Sequence, residues 1–244
     1  MKKKHIIIYG GSSLITEEIL KSGELECDQF SIFCRNKISV ERYINNLKDI
    51  KINIFETDIL DLEKIFSIID KFKNDITGLI WISGFTGNAE EEFLDPKKGE
   101  KNIRINFMNP ILITNKIIPK MIVDENSFIV ALSSVAGLRG RSKRLFYSSA
   151  KSALISYLSA LRQRLEKKKI NVITVIPGYI KTRAFEKGGW KAPSFLISSP
   201  KKAAKIICKA ISSKKEIVYI NFIWSIIMLF ILCIPEKIFK KLKF

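Results

Sequence analysis

Short apolar runs rich in β-branched and aromatic residues recur along the chain, separated by stretches long enough to be helices. The pattern predicts strands at His5–Tyr9, Phe30–Cys34, Lys51–Phe55, Leu79–Ile82, Ser127–Leu132, Asn171–Ile176 and Glu216–Ile220. Between them it predicts helices at Leu62–Phe72, Ile103–Ile118, Tyr147–Lys167 and Pro200–Ser212. Asn88–Glu100 is acidic and polar and reads as a solvated loop. Arg183–Ser199, with Gly188, Gly189, Trp190 and Pro193, has no clear period and reads either as a substrate lid or as an ordinary surface loop.

Most of the strand runs are continuously apolar, as strands covered on both faces should be. Alternating β and α elements of this size imply one doubly wound, Rossmann-like parallel sheet of about seven strands with helices on both faces. Ligands of such a sheet bind beyond the carboxyl ends of its strands. At 244 residues the chain suits one α/β domain rather than two. The division expected is a dinucleotide-binding and catalytic domain over residues 1–220, then a terminal segment over 221–244.

Gly10-Gly11-Ser12-Ser13-Leu14-Ile15-Thr16 follows the first strand and leads into a helix expected to begin near Glu17. Glycines at such a turn let the backbone approach a pyrophosphate, and a helix N-terminus offers N–H groups and a positive dipole end. Leu14 and Thr16 stand where a full fingerprint has further glycines, so a tight turn without a ligand is the competing reading. Just past the second strand, Arg35 suits a ribose 2′-phosphate better than a free 2′-hydroxyl. NADP is therefore the expected cofactor, with NAD the alternative. Asp58, after the third strand, is placed for the adenine edge.

Tyr147 and Lys151 are four apart at the start of a helical pattern, so they share a face. Ser134 ends the fifth strand, thirteen residues before Tyr147. Hydride transfer to a ketone leaves charge on oxygen that must be met by a proton. A phenol of pKa about 10 is a poor donor near neutrality unless an adjacent ammonium lowers it. The expectation is that Lys151 lowers Tyr147, while Ser134 orients the carbonyl oxygen.

The glycine turn at Gly10, Asp58, Asn106 within Ile103-Arg104-Ile105-Asn106, Ser134, Tyr147, Lys151 and Pro177-Gly178-Tyr179-Ile180-Lys181-Thr182 together resemble the short-chain dehydrogenase/reductase family over residues 4–220. The resemblance implies a catalytic set of Ser134, Tyr147, Lys151 and Asn106, the asparagine supporting a water-linked proton relay to the lysine. It implies nucleotide contacts from Gly10, Ser12, Ser13, Leu14, Ile15, Arg35, Asp58, Gly84, Tyr147, Lys151, Pro177, Gly178, Ile180 and Thr182. The family's Asn-Asn-Ala-Gly appears here as Trp81-Ile82-Ser83-Gly84. More narrowly, four features resemble decaprenylphosphoryl-2-keto-ribose reductases: the shortened glycine turn, Gly84 after the fourth strand without the double asparagine, the arginine-rich loop Gly137–Arg144, and an apolar carboxyl tail closed by Pro235 and a basic amphipathic end. That resemblance implies reduction of a keto-sugar on a polyprenyl phosphate in cell-surface glycan synthesis. A ketosphinganine, a ketoacyl chain, or a weakly active membrane-bound scaffold are the alternatives.

Lysine and arginine outnumber aspartate and glutamate by 42 − 24 = +18, an excess that attracts anionic lipid, phosphorylated substrates or nucleic acid. No nucleic-acid recognition motif accompanies it. Cys27, Cys34, Cys208 and Cys233 lack metal spacing and read as core filler in a reducing cytoplasm. His5 is the single histidine, which leaves a Ser-His-Asp hydrolase or a histidine-rich metal site without material, and no metal is expected. The basic start carries too short an apolar run for a secretory leader. Ile217–Ile234 is apolar apart from Asn221 and Ser225, but only about 14 residues remain once the last strand is removed, against the roughly 20 a span needs. With Lys237, Lys240, Lys241 and Lys243 beyond Pro235, an anchor on an anionic inner membrane face is the favoured reading. A core or dimer-interface helix and a true span are the others. The expected partners are a small or lipid-linked ketone and that membrane face, with a homo-oligomer also compatible.

Overall fold

The computed structural model describes residues 4–45, 50–187, 189 and 191–242. Gly188, Trp190 and Lys243, named above, lie outside the described residues. Six strands follow the expected runs closely: β1 (His5–Tyr9), β2 (Gln29–Cys34), β3 (Lys51–Glu56), β4 (Ile76–Trp81), β5 (Phe128–Leu132) and β6 (Asn171–Ile176). Two short strands, β7 (Tyr179–Ile180) and β8 (Ile197–Ser198), pair with each other, and β9 (Ile217–Tyr219) joins the main sheet. That sheet has seven strands in the order β3-β2-β1-β4-β5-β6-β9, all parallel.

Alternate residues of each strand enter different layers, so the core is split by the sheet. Ile6 and Ile8 of β1 pack with Ile15 and Ile19 of α1 (Leu14–Ser22), Val40 of α2 (Lys37–Ile44) and Ile207 of α9 (Pro200–Ser212). Ile7 and Tyr9 pack on the other face with Ile65 of α3 (Leu62–Asp70), Ile113 of α6 (Asn109–Ile117) and Leu158 of α7 (Leu145–Leu165). Burial on both sides explains why these strands read as continuous apolar runs.

Two expectations are corrected. The first helix begins at Leu14, not Glu17, because Ser13 caps it by accepting from the Ile15 N–H. The solvated loop at Asn88–Glu100 is instead α4 (Ala89–Leu94) and α5 (Pro96–Ile103), capped by Asn88 and Asp95 with Pro96 in the first turn of α5.

The helix expected over Ile103–Ile118 is interrupted. Pro110 has no N–H to offer the Asn106 carbonyl, and residues 104–108 widen into a π turn in which the Asn109 N–H reaches the Arg104 carbonyl. Beyond the sheet, α8 (Arg183–Lys187) precedes β8, and α10 (Ile223–Cys233) and α11 (Glu236–Phe239) close the described chain. Among the described residues no helix is long and apolar enough to cross a membrane.

Candidate active site

The chain order reverses between β1 and β4, and the crevice opened there is where ligands of this architecture bind. Gly10 sits at its edge with φ +105°, and a Cβ on it would come within 2.7 Å of the Ser83 nitrogen. Only glycine satisfies both conditions. The Ile82 and Ser83 N–H groups bond the Tyr9 carbonyl, so the two strand ends are tied side by side. Ser12 and Ser13 complete the turn, with the Ser12 hydroxyl accepting from Ser39 and α1 starting at Leu14 and Ile15. The bare turn, the N-terminus of a nine-residue helix, and a buried, unpartnered Ser83 hydroxyl fit a dinucleotide pyrophosphate.

Arg35 is exposed one residue past β2. Asp58 is exposed and uses one carboxylate oxygen to accept from the Leu60 N–H. The Pro177 carbonyl accepts from the Val135 N–H, which joins the end of β6 to the end of β5. Gly178 carries the indole of Trp224 so closely that no Cβ would fit. Ile180 is buried in β7, and the Thr182 N–H bonds back to the Ile180 carbonyl.

Ser134, just past β5, is buried; its hydroxyl accepts from the Ala136 N–H at 3.1 Å and lies close enough to the Tyr147 phenol to lower that group's pKa. Tyr147 lies in the first turn of α7, with Lys151 one turn later; the Lys151 Nζ is 5.8 Å from the tyrosine ring centre. Lys151 is buried and donates to the Leu132 carbonyl at 2.9 Å. The same lysine's carbonyl accepts from the Ser133 hydroxyl at 2.8 Å, which fixes α7 against β5. Gly84 marks the corner between them: a Cβ there would lie 3.3 Å from the Asn106 Oδ1 and 3.6 Å from the Lys151 Nζ. The π turn thus delivers Asn106 beside the lysine. All four expected catalytic side chains converge on the carboxyl side of the sheet.

The electrostatics differ from expectation. Burial pushes the Tyr147 phenol above its ordinary value, and what opposes this is the Ser134 hydrogen bond, then the charges of Arg144 and Arg141. Lys151 is not among the groups lowering it. Burial drives Lys151 itself down to about 8, which weakens it as a source of positive field. The charges that lower the phenol come from the arginine-rich loop.

Arg139 of that loop has another task. Its guanidinium donates to the carbonyls of Ile231 and Ile234 at 2.7 Å, pairs with Glu236 at 2.9 Å, and stacks on Phe239 with 3.9 Å to the ring centre. It is therefore committed to the carboxyl end of α10 and is not available to grip a substrate phosphate. Arg141, Lys143 and Arg144 are the loop's other cations, and Arg141 lines a small cavity of about 30 Å³ with Val135, Trp224, Met228, Ile231 and Phe239. Cys34 and Cys208 are buried, Cys27 is half-buried, and Cys233 is exposed rather than core filler.

Trp224, Glu92 and Asn102 were not legible as parts of this region. The capping residues Asn88 and Asp95-Pro96 were the signals that could have found the helix carrying Glu92 and the one carrying Asn102.

The short chain dehydrogenase family model matches residues 4–190. A 3-oxoacyl-[acyl-carrier-protein] reductase of Buchnera aphidicola is 33% identical over 130 residues, 51% of this chain and 53% of that protein. An oxidoreductase of Staphylococcus saprophyticus is 22% identical over 223 residues, covering 89% of this chain and 94% of the relative. The chain spans about half the length of the first curated relatives it matches, such as 55% of a nodulation protein of Azospirillum brasilense. Among solved structures, a short chain dehydrogenase from Burkholderia cenocepacia in complex with NADP superimposes with a TM-score of 0.81 at 17% identity, over 99% of this chain and 98% of the other. A 3-oxoacyl-[acyl-carrier protein] reductase from Brucella melitensis in complex with NAD gives 0.76 at 18%, over 93% and 98%. Likeness at this identity shows the fold, and the family match covers most of the chain: this protein belongs to the short chain dehydrogenases.

Proposed function

We propose that the chain is an NADP-dependent reductase that converts a ketone to a secondary alcohol, with Tyr147 as the proton donor. The observation that carries this is the convergence of the Ser134 hydroxyl, the Tyr147 phenol one helical turn from Lys151, and Asn106 at the Gly84 corner. Residues 10–15, Gly84, Pro177, Gly178, Ile180 and Thr182 would hold the dinucleotide, with Arg35 meeting a ribose 2′-phosphate and Asp58 the adenine. When bound, it supplies the hydride. NADP and NADPH occupy two of the solved relatives described as such, and NAD another.

Desolvation keeps the half-buried phenol uncharged at neutral pH, and the Ser134 hydroxyl and the charges of Arg144 and Arg141 oppose the rise in its pKa, which is the direction a proton donor needs. Ser134 donates to the carbonyl oxygen and keeps it beside the Tyr147 hydroxyl as charge develops there. After the phenol gives up its proton, Arg141 and Arg144 stabilise the phenolate until it is reprotonated.

The substrate is read as a ketone carried on a lipid. The exposed side of α10 presents Phe222, Ile226, Leu229 and Phe230 at helical spacing, beside exposed Lys237, Lys240 and Lys241. Apolar and basic groups together suit an anionic membrane surface at its cytoplasmic face. A keto-sugar on a polyprenyl phosphate fits that setting and leaves Arg141 to face the anion. A ketoacyl chain is the second reading, favoured by the named activity of the Buchnera, bovine and Aquifex relatives.

Oxidation of NADPH by the purified chain with a panel of ketones, including a 3-ketoacyl thioester and a polyprenyl-phosphate 2-keto-sugar, tests the reading. Tyr147→Phe should lower kcat by about 10²–10⁴-fold on whichever ketone reacts. The proposal is sunk if NADPH binds and no ketone separates the two proteins.

A further inference from the structure

Glu92 is an acidic residue buried to 3% exposure in a chain whose carboxylates are otherwise mostly on the surface. Its Oε1 accepts from the Asn102 Nδ2 at 2.6 Å. The Asn102 Oδ1 in turn accepts from the Asn106 Nδ2 at 2.6 Å, and the Asn106 Oδ1 accepts from the Phe85 N–H at 3.1 Å. Burying a carboxylate without function is costly, and here burial pushes the acid above its usual range against the lowering effect of the Asn102 bond.

The chain of bonds has one sense only. The Asn106 Nδ2 is met by the carbonyls of Phe85 and Asn102 and by the Asn102 Oδ1, all acceptors, so that atom must be the nitrogen. The Asn102 Oδ1 must then face Asn106, which turns its Nδ2 outward to a partner that can only accept. A carboxylate is such a partner. Gly87, at φ +64°, makes room for it: a Cβ there would fall within the Glu92 carboxyl group. With the Asn106 amide held this way, its Oδ1 faces the Gly84 corner, where Lys151 also ends.

We propose that Glu92 is a positioning residue of the reductase site, setting the orientation of the Asn106 amide beside Lys151 through Asn102. This rests on the reductase reading for its effect on turnover, but the positioning itself does not. Glu92 acts through Asn102 and does not itself need to meet substrate or nucleotide.

The test uses the full chain with Glu92→Leu, Asn102→Leu, the double variant and Glu92→Gln. Amide hydrogen exchange at Phe85 reports the Asn106 orientation without any turnover, and NADPH affinity, KM and kcat are measured alongside. Both single leucine variants should speed Phe85 exchange at least tenfold and lower kcat about tenfold, with KM and NADPH affinity within twofold of wild type. The double variant should be no worse than either single one, as members of one chain are not additive. Glu92→Gln, which keeps an acceptor oxygen, should restore Phe85 protection and most of kcat. Unchanged Phe85 exchange in Glu92→Leu overturns the proposal, as does a Glu92→Gln variant that behaves like leucine. A wild type that reduces no ketone, yet shows the exchange pattern, removes the reductase reading and leaves the positioning role standing.

Discussion

The polar and apolar clusters that flank the end of β5 are built on opposite principles. On one side, Glu92, Asn102 and Asn106 are buried polar groups linked by short hydrogen bonds, and buried Lys151 donates to the Leu132 carbonyl beside them. On the other, Trp224, Met228 and Phe239 pack on Val135 and Ile176 or close the cavity beside them, with Arg139 fastening the helix end. A hydrogen-bonded wall fixes the direction in which atoms point, which suits proton transfer. An apolar wall fixes shape alone, and tolerates whatever its outer surface meets. Directional hydrogen bonding is thus concentrated on α4–α7, and shape-filling apolar packing on the carboxyl tail.

Removing the apolar wall's anchor should have the largest effect on stability. Trp224 is 8% exposed, lies on Gly178 and donates to the Leu196 carbonyl. Trp224→Ala should cost about 4 kcal/mol in urea unfolding, through lost burial and the cavity left behind. A loss under about 1 kcal/mol would mean that the tail is merely appended.

The polar wall should respond with the opposite sign. Lys151 has a folded-state pKa of about 8 against an ordinary 10.5, so the folded chain binds its proton less readily than the unfolded chain. Its burial cost is complete below pH 8 and disappears as pH rises to 10.5. Lys151→Met relieves about 3 kcal/mol of that cost and forfeits about 1 kcal/mol for the bond to Leu132. The variant should therefore gain about 2 kcal/mol at pH 7 while losing turnover, and the gain should be gone by pH 10.5. A stability difference that does not change with pH would break this account.

The smallest effect on stability is expected on the outer side of the tail. Leu229 and Phe230 are 62% and 68% exposed. Replacing both with serine should change unfolding free energy by less than about 0.5 kcal/mol. Partition into anionic vesicles should nevertheless fall at least tenfold, since each apolar side chain removed from the interface forfeits about 1.5–3 kcal/mol. Equal partition of the variant and wild type would deny that face a membrane role.

Much of this was readable along the chain. Seven strands and their order of appearance follow from apolar periodicity, and the Ser134, Tyr147 and Lys151 spacing follows from a strand end and one helical turn. These are local properties. The acidic stretch before Ile103 has the polarity of a loop but the caps of two helices at Asn88 and Asp95, and Glu92 is buried only because Asn102 and Gly87 receive it. The Tyr147 pKa also ran against expectation: adjacency to a lysine was legible, whereas the desolvation of both groups was not.

Residue order alone established the alternation of elements, the bare turn after β1 and the catalytic helix face, because each depends on neighbours within a few positions. Tertiary structure decided that Arg139 holds the tail instead of a substrate, that Glu92 turns inward, and which side of α10 stays uncovered. Those outcomes depend on groups 10 to 97 positions apart meeting in space. Desolvation and hydrogen-bond partners are set by such meetings, and periodicity carries no record of them.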